Sequence, residues 1–366
     1  MNYKFLVVSL LYSFCCFSQE KEKSNMYTID ANAFYGSILL HNTDISHLIT
    51  EHPVGFILGL NKRNYGQKEW HQAYNYPDTG VSFIYQDMRN KTLGENYSIY
   101  AHYNFYFFKR YMQFRIGQGI AYNTNPYDKN VNFRNNAYGS SIMSSTFLML
   151  NFQKDRFYKG LGLKAGISLI HYSNANVKAP NTSTNTFAFN AGLVYDLNWE
   201  EEVNYIYNAE KLKVSEPIHF NAVFRTGINE SDVINSGQYA FYILSAYADK
   251  RVSRKSGIQI GADLFFSNFL KELIRYQSIS FPELEVDQNA DYKRVGLFAG
   301  YELYISKLSI LAQLGYYVYY PFDFEGRVYN RVGFKYYFGK NLHGAITLKS
   351  HGAAAEAVEF GIGIRL

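Results

Sequence analysis

Cysteine is almost absent from this 366-residue sequence, which contains only Cys15 and Cys16. Both lie in a segment that we expect to be removed during export. A lipoprotein would need a small residue just before its cysteine, but Phe14 precedes Cys15 and Cys15 precedes Cys16. The mature chain would therefore have no thiol, which excludes disulfides, thiolate metal sites and cysteine nucleophiles.

Long apolar runs are also missing from the expected mature chain, where no stretch approaches 18 consecutive apolar residues. The sequence therefore predicts no transmembrane helix. Its net charge is only +5 and its mean hydropathy is −0.25. This weak charge does not indicate a nucleic-acid partner, and an exported protein would not meet one.

The N-terminal segment predicts that the protein is exported. Lys4 supplies a positive charge, a mostly apolar run covers residues 5–17, and the small Ser18 precedes charged residues 20–23. This order is typical of a secretory signal peptide, here residues 1–18, and the apolar run is too short to span a bilayer as a helix. The alternative is a cytosolic protein with an apolar first strand.

Aromatic residues are abundant, and apolar residues recur with a period of two. The sequence has 35 Tyr and 29 Phe but only 7 Pro. In the last segment, Val358, Phe360, Ile362, Ile364 and Leu366 alternate with Glu359, Gly361, Gly363 and Arg365. Because the second face is glycine-rich and polar, the pattern favours a wet lumen and a lipid-facing exterior. A soluble all-β protein remains the alternative.

The number and direction of the strands follow from the same pattern. Up to sixteen segments qualify, and because short edges can merge we expect about fourteen strands, within a range of 12–16. We expect residues 19–366 to form a single antiparallel transmembrane β-barrel. Short turns alternate with long loops, except at the connection 63–79 and the charged stretch 199–216, which is interpreted as a periplasmic excursion or a short helix. Leu169 and Phe187 should face outward, and Arg115 and Lys164 inward.

A histidine and a serine stand out on the expected lipid-facing side. His171 and Ser173 share the parity of Leu169, near the outer end of their strand, and Asn185 begins the next strand on the same face. Unpaired polar groups in hydrocarbon cost several kcal/mol, so one interpretation places these residues in the headgroup zone. The other interpretation is a catalytic pair, with Ser173 as nucleophile and His171 as base, whose Cβ atoms lie roughly 6.5–7 Å apart along the strand.

The motif His171-x-Ser173-Asn174, followed by Lys178, Pro180 and Asn181, resembles the H-x-S-N motif of the PagL-type lipid A 3-O-deacylases. The resemblance implies an outer-membrane barrel whose active site lies on its exterior. It also implies His171 as the general base, Ser173 as the nucleophile and Asn174 in the oxyanion hole.

The sequence departs from that family in two ways. Where the family has a Glu fourteen residues after the His, this sequence has Asn185, which can orient a histidine but cannot stabilise an imidazolium as a carboxylate does. The founding members are also eight-stranded barrels less than half this length. The specific match covers the hairpin 158–198. The remainder, including the segments around His47 and Trp70, resembles the longer acyloxyacyl hydrolase-like barrels of Bacteroidetes.

Four other histidines, His41, His47, His52 and His71, could be interpreted as a metal cluster, but their spacings of six, five and nineteen fit no standard site. We therefore expect no metal and no cofactor.

The function that the sequence favours is an outer-membrane serine esterase that removes an acyl chain from lipid A or a similar glycolipid. His171, Ser173 and Asn185 would be catalytic, and Asn174 would hold the oxyanion. Lipopolysaccharide in the outer membrane would be the partner, and nothing in the sequence indicates an oligomeric state. The rival is a non-catalytic barrel, either a porin or a secretion-associated structural protein.

Overall fold

More than half of the described residues lie in β-strands. The computed structural model describes residues 26–207, 214 and 216–366, so the expected signal peptide lies outside the described residues. The first eight strands are β1 (Tyr27–Ile38), β2 (Val54–Lys62), β3 (Asp78–Asp87), β4 (Glu95–Phe107), β5 (Met112–Asn123), β6 (Ile142–Tyr158), β7 (Leu161–Ser173) and β8 (Thr184–Asp196). The second eight are β9 (Ile218–Asn229), β10 (Tyr239–Arg251), β11 (Ser256–Ser267), β12 (Lys293–Ile305), β13 (Leu308–Tyr319), β14 (Val328–Tyr337), β15 (Leu342–His351) and β16 (Ala354–Arg365).

These sixteen strands form two closed antiparallel barrels of eight strands each. In the first barrel β8 returns to pair with β1, and in the second β16 pairs with β9. The prediction of one barrel with about fourteen strands is therefore wrong, although the sixteen strands lie within the expected range of 12–16. Alternation along a strand predicts which face is apolar, but it does not predict which distant strand will close the sheet.

The connections that broke the predicted turn pattern have distinct roles. The segment between β2 and β3 contains a short helix, α1 (Glu69–Ala73), and the stretch 199–216 leads from β8 to β9, so it links the two barrels. A second helix, α2 (Phe269–Ser280), lies between β11 and β12, and 3-10 helices cover Thr43–Leu48 and Pro282–Leu284. No helix in the described ranges is long and apolar enough to cross a membrane.

The two barrels contact each other at both ends. At one end, here called the turn end, the Tyr74 hydroxyl donates to the Tyr304 carbonyl oxygen at 2.8 Å, and Glu69 of α1 lies 3.1 Å from Arg254. At the other, here called the loop end, the β7–β8 connection (residues 174–183) contacts the β9–β10 connection (residues 230–238). The barrels therefore run side by side in the same direction.

The exterior of the first barrel is apolar and its charged strand residues point into the interior, as predicted. Leu169 and Phe187 are half-buried on the face whose Leu163 and Phe189 are 49% and 69% exposed, whereas Arg115 and Lys164 are buried. Inside the barrel the Asp30 carboxylate forms ion pairs with both of these cations, at 2.6 Å from Arg115 and 3.5 Å from Lys164. Burying such charges is tolerated because each carboxylate is paired.

The interiors of both barrels are filled by side chains. Towards the loop end of the first barrel, buried Tyr100, Phe147 and Tyr172 belong to one apolar cluster. In the second barrel the buried cations are held in ion pairs: Arg331 with Asp263 and Glu359, Arg294 with Glu356, and Lys335 with Glu302. The lumens are thus packed cores, not the wet interior expected from the alternation pattern.

Candidate functional site

The histidine singled out in the sequence is paired with an asparagine on the exterior of the first barrel. His171 on β7 lies directly opposite Asn185 on β8 in the strand register. Its Nδ1 atom is 2.8 Å from the Asn185 Oδ1 atom. Because an amide oxygen only accepts hydrogen bonds, the Nδ1 atom must carry the proton, which leaves Nε2 unprotonated in the neutral ring.

This pair belongs to a row of polar residues that crosses four strands. Gln118 on β5 is opposite Thr146 on β6, and Thr146 is opposite His171. The Thr146 hydroxyl donates to the Gln118 side chain, which in turn donates to the Ser144 hydroxyl at 3.0 Å. We call Gln118, Thr146, His171 and Asn185 the polar row. The exposed apolar side chains of Ile120, Ile142 and Phe189 lie on the same face.

Ser173 lies two residues beyond His171 but is directed towards its own loop. Its hydroxyl donates to the Asn181 Oδ1 atom at 3.1 Å and accepts from the Ala175 backbone N–H at 2.9 Å. The side chain is only 5% exposed. Among the described residues no hydrogen bond joins Ser173 to His171, so the two proposed reacting groups are neighbours on one face without direct contact.

The hydrogen-bond donors of Asn174 are also used within the loop. Its backbone N–H donates to the Asn181 Oδ1 atom at 2.9 Å, and its Nδ2 atom donates to the Lys178 carbonyl oxygen at 2.6 Å. The buried Asn174 Oδ1 atom has no hydrogen-bond partner among the described residues. Asn181 therefore holds both Ser173 and Asn174 through a single oxygen atom.

Sequence reasoning gave no role to Asn181 and missed the other half of the polar row. Gln118 shares its parity with the apolar Ile116 and Ile120, and Thr146 shares its parity with Leu148. The available signal was a polar residue on a strand face whose other residues are apolar, and the same signal identified His171. For Asn181 there was no comparable signal, because loop residues have no fixed period.

The four additional histidines do not form one site. His41, His47 and His52 lie near the loop end, where at least one ring nitrogen of each contacts a backbone carbonyl oxygen. His71 lies in α1 at the turn end. Within the described residues no group of three or more His, Cys, Asp or Glu side chains could hold a metal ion.

Two protein-family models match the chain, one on each side of the connection between β8 and β9, where the fold also divides into two barrels. The family model for lipid A 3-O-deacylase (PagL) matches residues 54–194, and the model for the acyloxyacyl hydrolase C-terminal domain matches residues 218–366. The chain belongs to the PagL-type lipid A 3-O-deacylase family. The first match covers β2 to β8, far more than the hairpin that carried the resemblance, and the second begins with β9.

Membership of the PagL-type family supports a lipid A deacylase or acyloxyacyl hydrolase-like activity, an ester hydrolysis, on an outer-membrane barrel. Lipid A is the substrate that the family implies. The family also points to the outer membrane as the location of the protein.

The similarities to solved structures are weak. A double mutant of the Rh. blastica porin is 7% identical, with 94% of this chain and 100% of that chain covered and a TM-score of 0.18. The outer membrane protein Omp33 of Acinetobacter baumannii is 8% identical, with 93% and 98% covered and a TM-score of 0.19. Scores this low carry no structural argument. Comparison with curated proteins gave no match.

Proposed function

We propose that this PagL-type protein is a serine esterase whose active site is the polar row together with Ser173, on the exterior of the first barrel. The observation that carries the proposal is the 2.8 Å contact between His171 and Asn185, two residues from Ser173, on an otherwise apolar surface. Polar side chains on a lipid-facing surface are costly, because hydrocarbon offers them no hydrogen bonds, so their presence here indicates a function.

In the proposed mechanism His171 is the general base. Asn185 accepts the Nδ1–H and so holds the ring in the tautomer whose Nε2 atom can take a proton. Ser173 gives up its bond to Asn181, transfers its proton to Nε2 and attacks the ester carbonyl carbon of the acyl chain. The alcohol leaves with the proton from His171, and water then hydrolyses the acyl-enzyme.

The oxyanion would be held by Asn174 and by backbone N–H groups of the loop. The Ala175 N–H already donates to the Ser173 hydroxyl at 2.9 Å, so it is close to where the negative charge develops. Asn174 would contribute its Nδ2 atom after releasing the Lys178 carbonyl oxygen. Donors that are already in place, as the Ala175 N–H is, are usually the largest single contribution to acyl-transfer catalysis.

The substrate would reach this site sideways from the outer leaflet, so the proposal needs no passage through a lumen. The rival pore function draws no support from the lumen-facing cations, because Arg115 and Arg331 are fully buried in ion pairs. The direct test is mass spectrometry of lipid A from cells with and without the protein. We expect the mass of one acyl chain to be lost when the protein is present, and unchanged lipid A would contradict the proposal.

Two substitutions of Asn185 can distinguish orientation of the His171 ring from stabilisation of its charged form. Asn185→Glu should raise the deacylation rate by about ten- to a hundredfold, because a carboxylate also stabilises the imidazolium that forms during attack. Asn185→Ala should lower the rate by about tenfold or more, because the ring loses its orienting partner. Both rates are measured on purified protein with lipid A in micelles.

The matched control for these variants is Asn190→Ala. Asn190 lies on the same strand but faces the interior, where it donates to the Ser168 hydroxyl at 2.8 Å. Its replacement removes the same amide without touching His171. A deacylation rate that is indifferent to both Asn185 variants would exclude Asn185 from the site.

A further inference from the structure

The loop that carries the proposed oxyanion donors is bound by the second barrel. Four hydrogen bonds cross from the β9–β10 connection to the β7–β8 connection at the loop end. They join Glu230 N to Asn176 O, Ala179 N to Glu230 Oε2, Asn176 Nδ2 to Asp232 Oδ1, and Gln238 Nε2 to Val177 O, over 2.7–3.2 Å. The contact thus joins the two barrels beside Ser173.

Glu230 is the central residue of this contact. Its carboxylate accepts from the Ala179 N–H of the first barrel at 2.9 Å and from the Gly237 N–H of its own connection at 3.0 Å. Its backbone N–H donates to the Asn176 carbonyl oxygen at 2.8 Å. The residue is only 4% exposed. Hydrogen bonds from N–H groups to a buried carboxylate are stronger than neutral ones, so this residue fixes the loop firmly.

From Asn176 the connection continues to the proposed nucleophile. The Asn181 Nδ2 atom donates to the Asn176 Oδ1 atom at 3.0 Å, and the Asn181 Oδ1 atom accepts from Ser173 and from the Asn174 backbone. The side-chain amides of Asn176 and Asn181 therefore link Asp232 of the second barrel to the Ser173 hydroxyl.

The loop needs external support, because its backbone is strained. Ala175 has a φ angle of 53°, in the left-handed region that alanine rarely adopts, and it is followed by Asn176 at 58°, a residue type that tolerates this region better. Such conformations persist only where the surroundings hold them. The crossing bonds at Asn176, Val177 and Ala179 provide that support.

We propose that Glu230 is a positioning residue through which the second barrel holds the active-site loop of the first. The inference rests on the proposed function, since it assigns a role in arranging Ser173 and Asn174. Glu230 touches neither the substrate nor the reacting atoms. Its carboxylate acts through Ala179, whereas its contact with Asn176 is made by the backbone N–H. The residue thus gives the C-terminal barrel a part in a reaction that takes place on the N-terminal one.

The test uses the full chain with Glu230 replaced by Ala or Gln. Glu230→Ala should lower kcat by about tenfold with KM within about twofold of wild type, because the bound substrate no longer meets an ordered nucleophile and oxyanion site. Glu230→Gln should be intermediate, since one amide oxygen can replace only one of the two acceptor oxygens. Two further readouts are the labelling rate of Ser173 by a fluorophosphonate probe, expected to fall, and trypsin cleavage after the exposed Lys178, expected to rise.

Glu283→Ala is the control, because Glu283 is an exposed carboxylate on another loop-end connection of the second barrel. Wild-type kcat, labelling and cleavage in both Glu230 variants would overturn the inference while leaving the proposed function intact. If Glu230→Ala fails to fold, judged by heat-modifiable migration, Glu230→Gln decides in the same way. Absence of deacylation and labelling in the wild-type protein would instead contradict the proposed function, and this inference with it.

Discussion

Replacing Ser173 with alanine is expected to lower deacylation by at least about a thousandfold, because the variant has no group that can form the acyl-enzyme. Lipid A from cells that express Ser173→Ala should keep the acyl chain that the wild-type protein removes. The barrel should fold as before. Ser173 makes two hydrogen bonds within its loop, to Asn181 and from Ala175, and losing them should cost about 1–2 kcal/mol.

The matched control for this variant is Ser168→Ala on the same strand. Ser168 has the opposite parity, is buried inside the barrel and accepts a hydrogen bond from Asn190 at 2.8 Å. Its loss should cost similar stability without affecting deacylation. Folding of both variants is checked by heat-modifiable migration. Wild-type deacylation by Ser173→Ala would remove Ser173 from the mechanism.

Apart from Asn174, which was inferred from the motif, the parts of the site that sequence reasoning reached lie on regular strands. A period of two places His171 on the exterior and Asn185 at the start of the next strand on the same face, and the structure pairs the two residues directly. Both inferences use only residues fewer than twenty positions apart, where strand geometry is nearly invariant.

The parts that it did not reach depend on distant contacts or on loops. Closure of β8 on β1 joins residues 148 to 168 positions apart, and the Glu230 contact joins two barrels that were expected to be one. The direction in which Ser173 points is set by Asn181, whose own position depends on Asn176. The charged stretch 199–216 did break the turn pattern, and that interruption was the sequence signal for two barrels.

The largest loss of unfolding free energy that we expect follows from a substitution in the interior of the second barrel. Arg331 is fully buried and lies 2.9 Å from Asp263 and 2.6 Å from Glu359. Arg331→Met would leave those two carboxylates with Arg225, which is 3.9 Å and 3.7 Å away. Removing one partner from a buried ion pair strands an uncompensated charge, so the variant should lose about 3–5 kcal/mol of unfolding free energy.

Urea unfolding followed by two probes can assign that loss to one barrel. Circular dichroism reports the strands of both barrels, whereas both tryptophans of the chain, Trp70 in α1 and Trp199 just after β8, report the first. The circular dichroism transition of Arg331→Met should therefore shift more than the tryptophan transition. The control, Arg275→Met, removes an exposed arginine whose pair with Glu272 is worth less than about 1 kcal/mol. If Arg331→Met were no less stable than Arg275→Met, the buried network would not be what holds the second barrel together.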